Sequence, residues 1–176
     1  SWEKQFQNFC KFARSKNIKV LFGISPALDF NFNKITTIKQ NVDFKILLEK
    51  CNLALKLGAY SVVLQYDDIP DNFSLKYNVV FSEGTSHSIL SNELSNLLNC
   101  EIFVVPRIYS DELFHPSNNY LYDFGLNLDN SIKVFYCGSN VVEENINTKS
   151  NKLISKYLNN EIIFWDNFYA NDYCPR

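Results

Sequence analysis

YSVVLQYDDIPD, residues 60–71, is the stretch whose reading decides the fold. A short run rich in valine, leucine and tyrosine reads as a strand buried on both faces, the kind found in parallel sheets. It runs directly into two adjacent carboxylates, Asp67 and Asp68. Acids at the C-terminal end of such a strand stand where α/β barrels and open α/β sheets keep their chemistry. Neighbouring carboxylates repel, so one is readily pushed to hold a proton near neutral pH while the other stays charged. An acid beside an anion is the equipment of a glycosidase. The plain alternative is a strand end followed by solvated turn aspartates, and on this stretch alone that alternative is the stronger.

Working outward, the same unit recurs. Apolar runs at residues 18–24, 101–105, 132–137 and 161–165 read as four further strands, followed by Pro26, Pro106, Gly138 and Asp166. Helices are expected between them. Residues 1–17 carry Trp2, Phe6, Phe9 and Ala13 at three- and four-residue spacing, and residues 43–57 carry Phe44, Leu47, Leu48, Cys51 and Leu55 on one face, with Gly58 as a C-cap. Residues 84–99, a segment around 119–128 and a short one at 149–159 complete the set. Residues 30–40 read as polar and irregular, and 69–83 as a long loop of the type that often carries function. Strands alternating with helices at roughly 30–40-residue intervals predict βα units of a parallel sheet. Asp29, Asp67, Asp68, Tyr109, Asn140, Asp166, Asn167 and Asp172 all follow the C-terminal ends of strands. In a barrel they share one rim.

Composition excludes several classes. With 176 residues, 46% hydrophobic content and a net charge of -2, the chain suits one domain with a sizeable core and has no basic footprint for nucleic acid. No apolar run approaches the ~18 residues of a membrane span, and no signal peptide opens the chain. Cys10, Cys51, Cys100, Cys137 and Cys174 are odd in number, widely spaced and form no Cys/His cluster. They predict neither a disulfide framework nor a metal site, and favour a reducing, cytoplasmic compartment. His87 and His115 are expected at the surface or in loops. None of the five glycines is spaced as a phosphate-binding loop, so no cofactor is expected. The absence of any methionine, a start within a helix and an end just after the most distinctive loop read as a piece of a longer polypeptide. A homo-oligomer stays open.

Five segments in order, GISPALDF (23–30), LQYDDIPDN (64–72), VVPRIY (104–109), YCGSNVVEENI (136–146) and WDNFYANDY (165–173), resemble glycoside hydrolase family 84. That family contains the protein O-GlcNAcases and some bacterial hexosaminidases. WDN-x-x-ANDY is the most specific segment, followed by the paired Asp. The resemblance runs through nearly the whole chain and implies the middle and later part of a (β/α)8 TIM-barrel catalytic domain. Residues 1–176 would then be a single partial barrel of about five βα units.

The resemblance further implies a retaining β-N-acetylglucosaminidase that works by substrate-assisted catalysis, in which the sugar's own 2-acetamido oxygen attacks the anomeric carbon to give an oxazoline. This is an exception to the usual two-carboxylate scheme. Asp67 matches the residue that orients the acetamido group, and Asp68 the general acid and base. Tyr109 matches a tyrosine that contacts the acetamido group, Asn167 an asparagine near the same end of the sugar, and Asp172 an aspartate that holds hydroxyls at the far edge of the ring. The implied partner is a glycan or glycoprotein bearing N-acetylglucosamine, with no metal. Arg107, the YCGSN segment and Pro70 depart from the family's usual residues. Two other readings compete: a non-catalytic sugar- or protein-binding remnant of the same fold, and a doubly wound α/β domain binding a small molecule at its strand ends.

Overall fold

The computed structural model describes residues 1–70, 72–143 and 152–167. Five strands, β1 (Leu21–Ile24), β2 (Ser61–Gln65), β3 (Ile102–Val105), β4 (Lys133–Tyr136) and β5 (Ile162–Phe164), form one sheet in the order β1-β2-β3-β4-β5. Every neighbouring pair is parallel. Each strand lies beside the next in chain order, so the described sheet has no reversal point of the doubly wound kind. The predicted strands are all present, each trimmed by one to three residues at an end.

Period-two alternation divides the sheet into two faces. Val62, Leu64, Ile102, Val104, Val134 and Tyr136 belong to the main core, with Leu47 and Cys51 of α2 (Val42–Lys56) and Leu90 and Leu94 of the later helix at Glu83–Leu97. On the opposite face Val63, Phe103 and Val105 form a smaller cluster with Leu21, Phe135, Ile163 and Trp165. The N-terminal helix α1 (Trp2–Ser15) meets β1 through Phe6, whose ring lies 6.0 Å from that of Phe22. Gly58 follows α2 at φ 112, the left-handed conformation expected of a C-cap glycine.

The connection after β2 contains a short helix, α3 (Phe73–Lys76), before the long α4 (Glu83–Leu97). Between β3 and β4 lies α5 (Tyr120–Asn127). The segment read as irregular at 30–40 is instead 3-10 helical over Phe32–Gln40, interrupted at Lys34 and Thr37. Phe32, Ile35 and Ile38 recur every third residue and are all buried, which is the period of a 3-10 helix and invisible to a search for 3.6. The short helix expected at 149–159 is reduced, over its described part, to a 3-10 turn at Ile154–Lys156. His87 corrects another expectation. It is not at the surface or in a loop but fully buried in α4. Among the described residues no helix is long and apolar enough to cross a membrane, and Cys10, Cys51, Cys100 and Cys137 are free thiols.

Helices α4 and α5 cross closely at Gly84. A methyl group there would overlap the Tyr120 carbonyl oxygen and come within 2.8 Å of the Phe124 nitrogen. The Ser88 hydroxyl bridges the crossing, 2.8 Å from both the Gly84 and Phe124 carbonyl oxygens. Gly84→Ala should therefore destabilise the fold by about 2 kcal/mol, because the contact is with backbone that cannot step aside. Chemical denaturation checks this, and an unchanged midpoint would contradict the close crossing.

Candidate active site

The site grows from the C-terminal end of β2. The strand's buried run ends at Leu64, and the Tyr66 N–H continues the ladder by donating to the Val105 carbonyl at 2.9 Å. Alternation carries Val63, Gln65 and then Asp67 along the same face. Asp67 arrives half-buried, with its Oδ1 sealed from solvent and without a hydrogen-bond partner among the described residues. Burial pushes its carboxyl up to about 6, and the negative charge of Asp68 pushes in the same direction, against a backbone hydrogen bond that lowers it.

Asp68 would continue toward the helix side if the chain stayed extended. It adopts φ 54 instead, in the left-handed region, which breaks the alternation and leaves the side chain exposed at the sheet edge. There the Tyr109 hydroxyl donates to Asp68 Oδ1 at 3.4 Å. Burial, followed by the charges of Asp68 and Asp67, raises the Tyr109 hydroxyl well above its usual range, so it stays a donor. Tyr109 is held from both sides. Its carbonyl accepts the Cys137 N–H at 2.8 Å, and its ring lies 5.7 Å from that of Trp165.

The structure thus brings Asp67, Asp68 and Tyr109 together. Asn167 lies half-buried just past the end of β5, at the same edge of the sheet. Asp172 lies outside the described residues. Three neighbours stand out that were not among the predicted site residues. Trp165, just past the end of β5, rests against Tyr109. Cys137, at the end of β4, has its thiol pushed up to about 12 by burial, then by Asp67, Glu112 and Asp166. Its place at a strand end is the one signal the sequence offered. Arg107 is a third: its Nε donates to Glu83 Oε2 at 2.8 Å, away from the carboxylate pair. A cleft of about 480 Å³ lined by Tyr77, Asn78, Glu83, Arg107, Asn118 and Tyr120 lies beside this ion pair and does not include Asp67, Asp68 or Tyr109. No cluster of three or more His, Cys, Asp or Glu suited to a metal ion occurs among the described residues.

A chain with this sheet and an acid pair at its edge has direct relatives. The family described as beta-N-acetylglucosaminidase matches residues 1–176, and the chain belongs to that family, of the glycoside hydrolase 84 type. The protein O-GlcNAcases of Rattus norvegicus and Mus musculus are 29% and 28% identical to it over 179 residues. Those alignments cover 97% of this chain and 19% of each relative, so the chain spans about a fifth of their length. The solved structure of CpGH84B superposes with a TM-score of 0.76 at 22% identity, over 97% of this chain and 30% of that one. It shares the fold.

The backbone at Asp68 predicts an ordering of variants. Asparagine tolerates left-handed backbone and a β-branched residue does not, so Asp68→Val should cost about 1–2 kcal/mol more than Asp68→Asn. Equal stabilities in urea denaturation would contradict the conformation. Asp67 predicts a pH effect. Its carboxyl is raised in the folded state from 3.8 to about 6, so its stabilising contribution is complete below about pH 4 and is lost as pH rises through 6. Discounted for solvent screening of a half-buried group, that loss is about 1 kcal/mol. Asp67→Asn should therefore gain about 1 kcal/mol on the wild type between pH 4 and pH 7, read as the difference between two urea titrations.

Proposed function

We propose that the protein is a retaining β-N-acetylglucosaminidase of O-GlcNAcase type, acting by substrate-assisted catalysis. The observation that carries this reading is the Asp67–Asp68 pair at the end of β2 with the Tyr109 hydroxyl 3.4 Å from Asp68, in a chain that belongs to the beta-N-acetylglucosaminidase family. The sheet's sequential parallel order supports placing residues 1–176 as five βα units of a (β/α)8 barrel with this edge as its catalytic rim.

In the proposed first step the acetamido oxygen of the bound sugar attacks the anomeric carbon. The bond to the leaving oxygen breaks, and Asp68 gives that oxygen its proton. Asp67 accepts the amide N–H through its unpartnered buried oxygen. That hydrogen bond favours the carboxylate anion and offsets the burial that raises Asp67 in the free protein, so the proton that Asp67 holds there passes to Asp68 when the sugar binds. As the ring closes to the oxazoline the amide proton passes to Asp67. Water then attacks the anomeric carbon and gives its proton to Asp68. The oxazoline's bond from that carbon to oxygen breaks, Asp67 returns the proton to nitrogen, and the product keeps its original anomeric configuration. Because the nucleophile comes from the substrate, neither carboxylate has to lie beneath the sugar. Tyr109 would donate to the acetamido group, Asn167 would bind at the same end of the sugar, and Asp172 would accept two ring hydroxyls.

The substrate is a glycan or glycoprotein carrying terminal β-linked N-acetylglucosamine, and the names of the mammalian relatives favour the glycoprotein. A reducing, cytoplasmic setting suits the four described free thiols.

The test is hydrolysis of a chromogenic β-N-acetylglucosaminide by the full-length protein, with Asp67→Asn, Asp68→Asn and a series of increasingly fluorinated 2-N-acyl substrates alongside. Each variant should lose at least about 100-fold in kcat, and the rate should fall as the acyl oxygen becomes less nucleophilic. Near-normal turnover by both variants would overturn the reading. Sugar binding without turnover in the wild type would make the protein a non-catalytic binding module.

A further inference from the structure

The two loops that carry the site are joined behind the sheet by buried polar and aromatic side chains. Tyr66, the residue before Asp67, stacks face to face on the His87 imidazole with ring centroids 4.1 Å apart. The Tyr66 hydroxyl reaches the His87 carbonyl at 3.2 Å and the Ser91 hydroxyl at 3.0 Å. His87 Nδ1 lies 3.1 Å from the Tyr120 hydroxyl, which accepts the backbone N–H of Arg107 at 3.0 Å. The Arg107 guanidinium sits 5.0 Å above the Tyr120 ring and is ion-paired to Glu83, with the two side chains 13% and 10% exposed. Tyr109 follows two residues later.

Counting protons fixes the direction of this chain. The Tyr120 oxygen already accepts from Arg107, so its own proton is available for His87 Nδ1. A neutral His87 with its proton on Nε2 leaves only that N–H without a partner among the described residues. The opposite tautomer would strand both Nε2 and the tyrosine proton. Burial, reinforced by the nearby Arg107 charge, lowers His87 to about 3 and keeps the ring neutral.

We propose that Tyr120 is a positioning residue for the reaction: through its hydroxyl it ties the strand end before Asp67 to the loop before Tyr109, and so sets the approach of the Tyr109 hydroxyl to Asp68. This deepens the proposed function and rests on it for its kinetic consequence. The hydroxyl joins His87, on which Tyr66 stacks, to the Arg107 N–H. His87 is fully buried and the Arg107 N–H partly so, so loss of the hydroxyl leaves two polar groups unpaired where water reaches them poorly. The loop then relaxes toward other partners for the Arg107 N–H, and Tyr109 moves with it. Sub-ångström displacement of a group that touches the reacting atoms is felt in kcat rather than in ground-state binding.

The experiment is Tyr120→Phe in the full-length protein, with exposed Tyr122→Phe on the same helix as the control. Tyr120→Phe should lower kcat about tenfold while KM stays within about twofold. In a Tyr109→Phe background it should cost nothing further, because the group it positions is already gone. The crystal structure of Tyr120→Phe should place the Tyr109 hydroxyl beyond hydrogen-bonding distance of Asp68. A fall in melting temperature with unchanged kcat, or losses that multiply in the double variant, would overturn the proposal. If the wild type itself hydrolyses nothing, the functional reading fails on its own, and the position of Tyr109 in the variant crystal structure still decides whether Tyr120 positions it. Should Tyr120→Phe fail to fold, Glu83→Gln, which keeps the side-chain size but removes the ion pair, takes its place with the same readouts.

Discussion

The active edge depends on β2 being sealed on both faces. Ser61, Val62, Val63 and Leu64 are all buried, so the strand cannot slide without exposing one set of side chains and stranding the other. That fixed register delivers Asp67 to the edge of the sheet at a depth where its carboxyl is only partly solvated. The same sealing denies one Asp67 oxygen any partner of its own among the described residues, the acceptor that the proposed mechanism gives to the substrate N–H. The raised carboxyl is the electrostatic consequence of a packing constraint, and the adjacent Asp68 adds to it.

The two faces of the sheet serve the site differently. On one face the aromatic rings of Phe103, Phe135 and Trp165 lie in succession, at 5.5 Å and 6.4 Å, up to Tyr109. They form an apolar wall beside the carboxylates. On the helix face the aromatic groups are mixed with polar ones, in Tyr66, His87 and Tyr120, and there they join loops rather than face a ligand. The high aromatic content of the chain, 15%, is thus divided between lining the site and holding it in place. Composition could not separate those roles, because both need flat rigid side chains with a polar tip.

Arg107 shows how a departure from family residues acquires a physical meaning. In VVPRIY it stands out as unusual, and nothing in the segment says where a guanidinium so close to the acid pair would point. In the fold it turns away from the carboxylates toward Glu83, at the start of α4. A cation beside Asp67 and Asp68 would hold both as anions and weaken the acid. Pairing it with Glu83 keeps its charge from that task and uses its planar group against the Tyr120 ring.

Much was legible in the sequence because it is local. Buried parallel strands announce themselves as apolar runs of four or five residues, amphipathic helices as a three-and-four spacing, and the acid pair lies within one segment. That is why all five strands, the helices at 42–56 and 83–97, and Asp67 with Asp68 could be placed from residues alone. The tertiary structure decided what depends on residues far apart in the chain meeting. His87 looked like a surface residue because α4 is rich in serine, yet the rings of Phe32, Tyr66 and Tyr120 surround it. The left-handed turn at Asp68 and the reach of Tyr109 across to it were equally hidden. Charge repulsion was expected to raise one acid of the pair, but only the fold shows that it is Asp67 and that burial is the larger cause. Desolvation and backbone strain are set by the neighbours that three-dimensional packing supplies, and a one-dimensional pattern records how often a residue is buried but not against what.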